Sequence, residues 1–201
     1  MSKFKLPNLI TYAGAGCSVG ILIFAFCQKT NLAMISLILA AVCDLFDGKF
    51  ARIFQRTKEE KCVGIELDSL SDVMSFLIGP VAVCLGMGIC NWYSYIVFIL
   101  YVLAGITRLA FFNVNASEHY VDEPVTFYTG LPVSYSAVFF PLLWVLSIKL
   151  ESVPFQLIYI GIMLVMAYLF VADIKIPKPK GKALIAFVLA AAVMVFFLIY
   201  L

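Results

Sequence analysis

Residues 31–52 read NLAMISLILAAVCDLFDGKFAR, a long apolar run that ends in two aspartates and a basic segment. A helix needs about 20 residues to cross the hydrocarbon layer of a membrane, and this run is long enough. Asp44 and Asp47 are three residues apart, which places both carboxylates on one face of such a helix. Gly48 and Ala51 continue that face. The stretch therefore predicts a membrane-spanning helix that presents two acids beside small residues at one end.

The composition of the whole chain agrees with a membrane location. Of its 201 residues, 64% are hydrophobic, and the mean hydropathy is +1.04, far above that of a soluble globular protein. Apolar runs of spanning length recur along the sequence and leave no room for a separate water-soluble domain. We therefore predict an all-α integral membrane protein, a bundle of about seven transmembrane helices that forms one membrane domain over residues 1–201. The predicted spans are 9–27, 31–52, 67–89, 91–112, 132–149, 154–172 and 183–201.

The distribution of basic residues predicts the orientation of this bundle, because positive charge is retained on the cytoplasmic side of a membrane. With seven spans and a cytoplasmic N-terminus, every Lys and Arg falls on the inner side except Lys29 and Lys149. The long polar loops predicted at 53–66 and 113–131 also lie inside. We expect a multi-pass cell-membrane protein with its active site near the cytoplasmic side. The net charge of +2 then reflects topology and contact with lipid headgroups, and it gives no reason to expect nucleic acid as a partner.

A second pair of aspartates lies on the third predicted span. Asp68 and Asp72 are four residues apart, on a stripe that also contains Gly64, Ser71 and Ser75. A carboxylate at the middle of a span costs roughly 2.5–3.5 kcal/mol on insertion scales, so four uncompensated ones approach a penalty on the order of 10 kcal/mol. The stripe must therefore face protein or water, and the four acids need a source of positive charge.

A divalent cation is the natural source of that charge. Ligands that are all oxygen, without His or thiolate, favour a hard ion such as Mg²⁺, Mn²⁺ or Ca²⁺ over zinc. Mg²⁺ usually retains waters and binds phosphate oxygens, so the acids predict a site for a phosphorylated substrate. For any one of the four, a helix cap or the lining of an ion pathway is the alternative.

The two acidic stretches together carry a specific pattern. Residues 44–52 read DLFDGKFAR and residues 64–72 read GIELDSLSD. This resembles the signature of the CDP-alcohol phosphatidyltransferases, D-x2-D-G-x2-A-R…G-x3-D-x3-D, at every fixed position. The connection between the two halves, residues 53–63, is longer than the family usually has.

The resemblance implies a membrane enzyme that transfers a phosphatidyl group from CDP-diacylglycerol to an alcohol. By the same resemblance, Asp44, Asp47 and Asp68 hold two divalent ions, Mg²⁺ or Mn²⁺, with help from Asp72, which also acts as the catalytic base. Members of the family are commonly homodimers, so a homodimer is implied. The residues implied to border the CDP moiety are Gly48, Ala51, Arg52 and Gly64, together with Asn8 and Thr11 of the N-terminal segment.

Further segments resemble the phosphatidylserine synthase branch of that family and imply L-serine as the acceptor. They are residues 66–69 (ELDS), 105–113 (GITRLAFFN) and 127–132 (FYTGLP). The sequence departs from the branch at Phe111, where an arginine is frequent, and at Ser134, where a proline is frequent.

The resemblance covers residues 7 to about 135, which implies a catalytic core at 7–135 followed by further membrane helices at 136–201. Within the core, Arg108 is implied to be a counter-charge for the serine carboxylate or a lipid phosphate, with Asn113 as its neutral partner. An interfacial arginine that snorkels to the headgroups is the alternative for Arg108.

Other functions share the same acids. Transfer to glycerol 3-phosphate or an inositol phosphate would need further cations facing the site, and beyond Arg52 and Arg108 the chain has few. A cation-coupled transporter would also place aspartates in a bundle, but it predicts an inverted repeat, and none is visible. A non-catalytic scaffold protein would not explain why four costly carboxylates lie within membrane spans.

Overall fold

The computed structural model describes residues 5–119, 127–149, 155–177 and 182–200. Four helical segments in these ranges are long and apolar enough to cross a membrane, and shorter apolar helices accompany them, which confirms the predicted all-α membrane class. The four long segments are Leu6–Phe26, Thr30–Ala51, Lys58–Gly86 and Trp92–Val114.

The helices follow one another along the chain with short connections. A 3₁₀ turn over Leu6–Asn8 precedes α1, another over Val133–Tyr135 precedes α6, and a π-helical turn over Val73–Ile78 joins α3 to α4. Two short antiparallel strands pair Tyr128 opposite Ile176. The elements are α1 Leu9–Phe26, α2 Thr30–Ala51, α3 Lys58–Asp72, α4 Gly79–Gly86, α5 Trp92–His119, β1 Phe127–Thr129, α6 Ser136–Lys149, α7 Phe155–Val171, β2 Lys175–Pro177 and α8 Lys182–Tyr200.

The predicted polar loop 53–66 is wrong for most of its length, because α3 begins at Lys58. A capping box fixes this start: the backbone N–H of Glu60 donates to the Thr57 hydroxyl over 3.2 Å, and the backbone N–H of Thr57 donates to the Glu60 carboxylate over 3.1 Å. The predicted loop 113–131 is also shorter than expected, since α5 continues to His119.

Helices α1 and α2 pack closely because small residues lie between them. A Cβ on Gly14 would be 3.2 Å from the Cβ of Cys43, and one on Gly20 would be 3.3 Å from the hydroxyl of Ser36. Close approach of small residues is a usual source of helix association in membranes. The resulting α1–α2 pair forms one wall of the site described below.

Pro80 explains the π-helical turn between α3 and α4. Proline has no N–H to donate to the carbonyl four residues earlier, and its ring crowds that carbonyl, which belongs to Phe76. In the turn before Pro80, the Gly79 N–H donates to the Met74 carbonyl, five residues back, which is the bond of a π-helix. The buried Tyr101 hydroxyl donates to the Phe76 carbonyl over 2.7 Å and replaces the missing N–H.

A turn that follows β1 is held against the end of α7. Gly130 has a φ of +76°, and its N–H donates to the Ile174 carbonyl over 2.9 Å. The Leu131 N–H donates to the Leu169 carbonyl over 2.9 Å. A Cβ at Gly130 would overlap the Phe170 carbonyl, so only glycine fits both the backbone angle and the space.

Candidate active site

Three of the four aspartates meet where α2 and α3 face each other. One carboxylate oxygen from each of Asp44, Asp68 and Asp72 lies within 4.8 Å of the other two. Asp44 comes from α2, and the other two come from successive turns of α3. Acids that lie more than 20 residues apart in the sequence, Asp44 on α2 and Asp68 and Asp72 on α3, are thus close together in the structure.

Asp47 lies beside this cluster and is oriented by α1. Its Oδ2 accepts a hydrogen bond from the Thr11 hydroxyl over 3.0 Å, and its carboxylate also faces Asp68. Asp47 is 8% exposed. Because the partner hydroxyl belongs to α1, three helices set the geometry of the acids.

All four acids line a small cavity inside the bundle. Its wall includes Gly14 and Ala40, whose small side chains leave it open, and the hydroxyls of Ser71 and Ser75. The hydroxyl of Ser75 is in contact with the hydroxyl of Ser18 on α1, so the polar lining extends past Asp72 to α1. The acidic stripe on α3 therefore faces protein, as the cost of exposing carboxylates to lipid requires.

Positive charge near the acids comes from Arg108 on α5. Arg108 is 8% exposed, and its guanidinium lies close enough to Asp44 and Asp72 to attract both. Its Cζ is 5.3 Å from the ring centroid of Phe112. This buried position differs from that of an arginine that snorkels to the headgroups.

The donor set fits a hard divalent ion. Three converging carboxylates repel one another when desolvated, and the single charge of Arg108 does not balance Asp44, Asp68 and Asp72. The group contains carboxylates alone, which suit Mg²⁺ or Mn²⁺. The described cluster could therefore hold a metal ion.

The residues predicted to border a nucleotide fall into two groups. Asn8 is buried and faces Gly64: a Cβ on Gly64 would lie 3.4 Å from the Asn8 Oδ1. At the end of α2, Ala51 is buried, whereas Gly48 and Arg52 are exposed. Asn8 and Gly64 are thus brought together, about one helical turn from the acids.

Asn113 was predicted as a partner of Arg108, and the structure gives it a neighbour on another helix. Its Oδ1 accepts a hydrogen bond from the Ser69 hydroxyl over 3.0 Å. This bond ties α5 to α3 beside the acidic cluster.

Two residues near the site were not predicted from the sequence. Arg56 covers the side of Gly64 on which other residues carry a Cβ, with its Nη1 3.3 Å from the position of a Cβ there. Ser134 lies with its hydroxyl beside the Asp44 carboxylate. The pattern Thr57-x-x-Glu60 is a capping box that could have indicated where α3 starts, whereas Ser134 carries no local signal.

Known proteins of one family are similar to this chain in sequence. A sequence model of a family described as CDP-alcohol phosphatidyltransferase matches residues 4–172. A Saccharomyces cerevisiae protein named CDP-diacylglycerol–serine O-phosphatidyltransferase is 34% identical over 100 residues, which cover 48% of this chain and 35% of that protein. A Helicobacter pylori protein of the same name is 26% identical over 88% of this chain and 73% of its own length. An archaetidylserine synthase of Methanothermobacter thermautotrophicus is 29% identical over 90% and 72%.

Proposed function

The chain belongs to the CDP-alcohol phosphatidyltransferase family, and from that premise we propose that it transfers the phosphatidyl group of CDP-diacylglycerol to L-serine. The products are phosphatidylserine and CMP. The observation that carries the proposal is the convergence of Asp44, Asp68 and Asp72 within 4.8 Å in a cavity of a membrane bundle. The acceptor is supported by the names of the yeast and H. pylori relatives, each a serine O-phosphatidyltransferase.

We assign the four aspartates to two divalent ions, Mg²⁺ or Mn²⁺. When bound, such ions neutralise the charge of a diphosphate and of the leaving group. Asp44, Asp68 and Asp72 supply converging oxygens, and Asp47 supplies a further carboxylate beside them. Thr11 holds Asp47 in place through its hydroxyl.

In the proposed reaction, the serine hydroxyl oxygen attacks the β-phosphorus of CDP-diacylglycerol and forms a new P–O bond. The bond from this phosphorus to the bridging oxygen breaks, and CMP leaves with that oxygen. The Asp72 carboxylate accepts the proton of the serine hydroxyl and is therefore the catalytic base. Its position supports this role, because Asp72 is only 9% exposed and its carboxylate lines the cavity with the other acids.

We assign Arg108 to the serine carboxylate or to a lipid phosphate. A guanidinium offers a planar fork of donors that matches either group. Its buried position within reach of Asp44 and Asp72 would bring the bound anion next to the reacting atoms. Asn113 is assigned as a neutral partner of the same anion.

The CDP moiety is proposed to run outward from the acids along α1 and α3. Asn8 and Gly64 face each other there, and the absence of a side chain at Gly64 lets the polar side chains of Asn8 and Arg56 approach the backbone of α3 closely. The residues assigned to CDP are Asn8, Thr11, Gly48, Ala51, Arg52 and Gly64.

The basic residues support an orientation with the N-terminus and the site on the cytoplasmic side of the cell membrane. The acyl chains of CDP-diacylglycerol would remain in the bilayer while the headgroup enters the cavity. We also propose a homodimer, on the family resemblance.

Release of CMP from CDP-diacylglycerol by the purified protein in detergent tests the function. We expect release that requires L-serine and Mg²⁺ or Mn²⁺, stops with EDTA, and yields phosphatidylserine. Asp68→Asn should abolish it, whereas Glu59→Gln, the same chemical change at an exposed position of α3, should not.

The other acceptors separate the alternatives. Chelator-sensitive release that needs glycerol 3-phosphate or an inositol phosphate would discard serine and keep the metal-dependent transfer. No release with any acceptor would contradict the proposed activity and favour a cation-coupled transporter.

A further inference from the structure

We propose that Ser134 is a positioning residue: its hydroxyl holds the Asp44 carboxylate in the orientation that binds a divalent ion, and the end of α7 holds Ser134. The inference rests on the proposed function, because it takes Asp44 as a ligand of that ion. At residue 134 the sequence departs from the phosphatidylserine synthase branch, so the resemblance assigns this residue no role.

The Ser134 hydroxyl lies beside the Asp44 carboxylate. Ser134 is half-buried, in the middle of the 3₁₀ turn that precedes α6. A hydroxyl has a proton to donate and a carboxylate can only accept, so the O–H is expected to point to Asp44. Asp47 has a comparable neighbour, because the Thr11 hydroxyl donates to its Oδ2 over 3.0 Å. Each acid of α2 is therefore accompanied by a hydroxyl from a different element.

The backbone before Ser134 is anchored on the end of α7 and on the segment that follows α7. The Leu131 N–H donates to the Leu169 carbonyl over 2.9 Å, and the Gly130 N–H donates to the Ile174 carbonyl over 2.9 Å. These carbonyls lie far along the chain from the acids, in the part that carries no residue of the signature. The C-terminal part of the fold therefore sets where the turn begins.

The two residues between this anchor and Ser134 have little freedom. The ring of Pro132 fixes its φ, which is −59°. The side chain of Val133 is buried in the core. The Tyr135 N–H donates to the Pro132 carbonyl over 3.1 Å and closes the turn. The hydroxyl of Ser134 is thus presented by a backbone that is held on both sides.

Asp44 needs such support more than its two neighbours in the cluster. Asp68 and Asp72 keep their mutual spacing through α3, whereas Asp44 lies on α2 and must be aligned with them across a helix interface. A carboxylate that is already held in its binding orientation loses less rotamer freedom when an ion binds. Loss of a hydrogen bond that orients a metal ligand typically costs 10- to 100-fold in metal affinity.

Calorimetric titration of Mg²⁺ or Mn²⁺ into the full-length protein in detergent, without substrates, tests the inference. Ser134→Ala should weaken binding of the ion about 10- to 100-fold. Ser134→Thr keeps the hydroxyl and should retain most of the affinity. In the CMP-release assay, Ser134→Ala should raise the Mg²⁺ concentration needed for half-maximal rate, whereas the rate at saturating Mg²⁺ should change far less.

The matched control is Ser147→Ala, which removes a hydroxyl that is also half-buried but lies near the other end of α6, where it donates to the Trp144 carbonyl over 2.6 Å. It should leave the affinity for Mg²⁺ unchanged.

Gly130→Ala tests the anchor without changing Ser134 or an acid. Gly130 has a φ of +76°, and a Cβ there would overlap the Phe170 carbonyl, so the turn must shift. Binding of Mg²⁺ should weaken. In the double variant with Ser134→Ala the two losses should not add, because both act through the same hydroxyl.

Unchanged affinity for Mg²⁺ in the folded Ser134→Ala variant would overturn the inference. An equal loss in Ser134→Thr would also overturn it, because the loss would then come from packing and not from the hydroxyl. Fully additive losses in the double variant would contradict the role of the anchor. No binding of Mg²⁺ or Mn²⁺ by the wild type would contradict the metal assignment itself. Binding of the ion that is weakened by Ser134→Ala, without serine-dependent CMP release, would instead contradict the proposed function and leave the role of Ser134 standing.

Discussion

At the scale of single residues, the four aspartates have different neighbours. Asp47 accepts a hydrogen bond from Thr11 on α1, whereas Asp72 is buried beside Arg108 and the other two acids of the cluster. Exchange of a carboxylate for an amide of nearly equal volume therefore removes charge and basicity without opening a cavity.

Asp72→Asn should lower the rate of CMP release by at least about 100-fold, because a general base usually contributes two to four orders of magnitude. Affinity for CDP-diacylglycerol should change far less, since the volume of the side chain is kept. Turnover at saturating serine and Mg²⁺, with a separate binding titration, measures both. Wild-type turnover by the variant would remove Asp72 from the role of base.

Arg108→Ala should raise the KM for serine, or that for CDP-diacylglycerol, by about tenfold or more, because one charge-assisted contact is lost. Arg108→Lys keeps the charge and should have a smaller effect. Steady-state kinetics with each substrate varied in turn identify the anion. If neither KM changes, Arg108 does not contact a substrate.

The acids could be predicted from the sequence because their spacing is local. Asp44 shares a helix face with Asp47, and Asp68 shares one with Asp72. Carboxylates in an apolar run are costly in a membrane, so they indicate a functional site. The contact of Arg56 with Gly64 could not be predicted in the same way, because it depends on where α3 starts.

At the scale of elements, the π-helical turn over Val73–Ile78 sets the rotation of α3 relative to α4. A π turn holds more residues than an α turn, so converting one into the other rotates everything on one side of it. Asp68 and Asp72 lie directly before this turn, and their direction therefore depends on it.

Pro80→Ala restores an N–H that can donate to the Phe76 carbonyl and should favour a regular α-helix. We expect CMP release to fall about tenfold or more, because misplacement of catalytic groups by about 1 Å can cost as much as 100-fold. The melting temperature should stay equal or rise. A thermal scan and the CMP-release assay on one preparation measure both quantities. Full activity of the variant would show that the geometry of the acids does not depend on the π-helical turn.

The bounds of the elements illustrate where sequence patterns were insufficient. Hydrophobicity placed the third span at 67–89, but the capping box at Thr57 extends its helix into a polar stretch that hydropathy assigns to a loop. The turn at Gly130 is held by carbonyls of Leu169 and Ile174, and pairings over such distances leave no local pattern.

At the scale of the whole molecule, we expect that four carboxylates in one cavity make the stability of the bundle depend on a bound ion. Mg²⁺ should raise the melting temperature in detergent and EDTA should lower it, because a ligand that binds only the folded state stabilises it by about 2.7 kcal/mol at 100 times its dissociation constant. In Asp68→Asn the difference between Mg²⁺ and EDTA should shrink. Equal melting temperatures of the wild type in both conditions would contradict an ion held by these acids.

Because the Tyr101 hydroxyl donates to the Phe76 carbonyl, the effect of a substitution at residue 101 should depend on the residue at position 80. Tyr101→Phe alone leaves a buried carbonyl without its donor and should cost about 1–3 kcal/mol. In a chain that also carries Pro80→Ala, the new backbone N–H can supply that donor, so the second substitution should compensate for the first. Residues 80 and 101 are therefore expected to show epistasis: a lineage that keeps proline at 80 is constrained to keep a hydroxyl at 101, and one that loses the proline is released from that constraint.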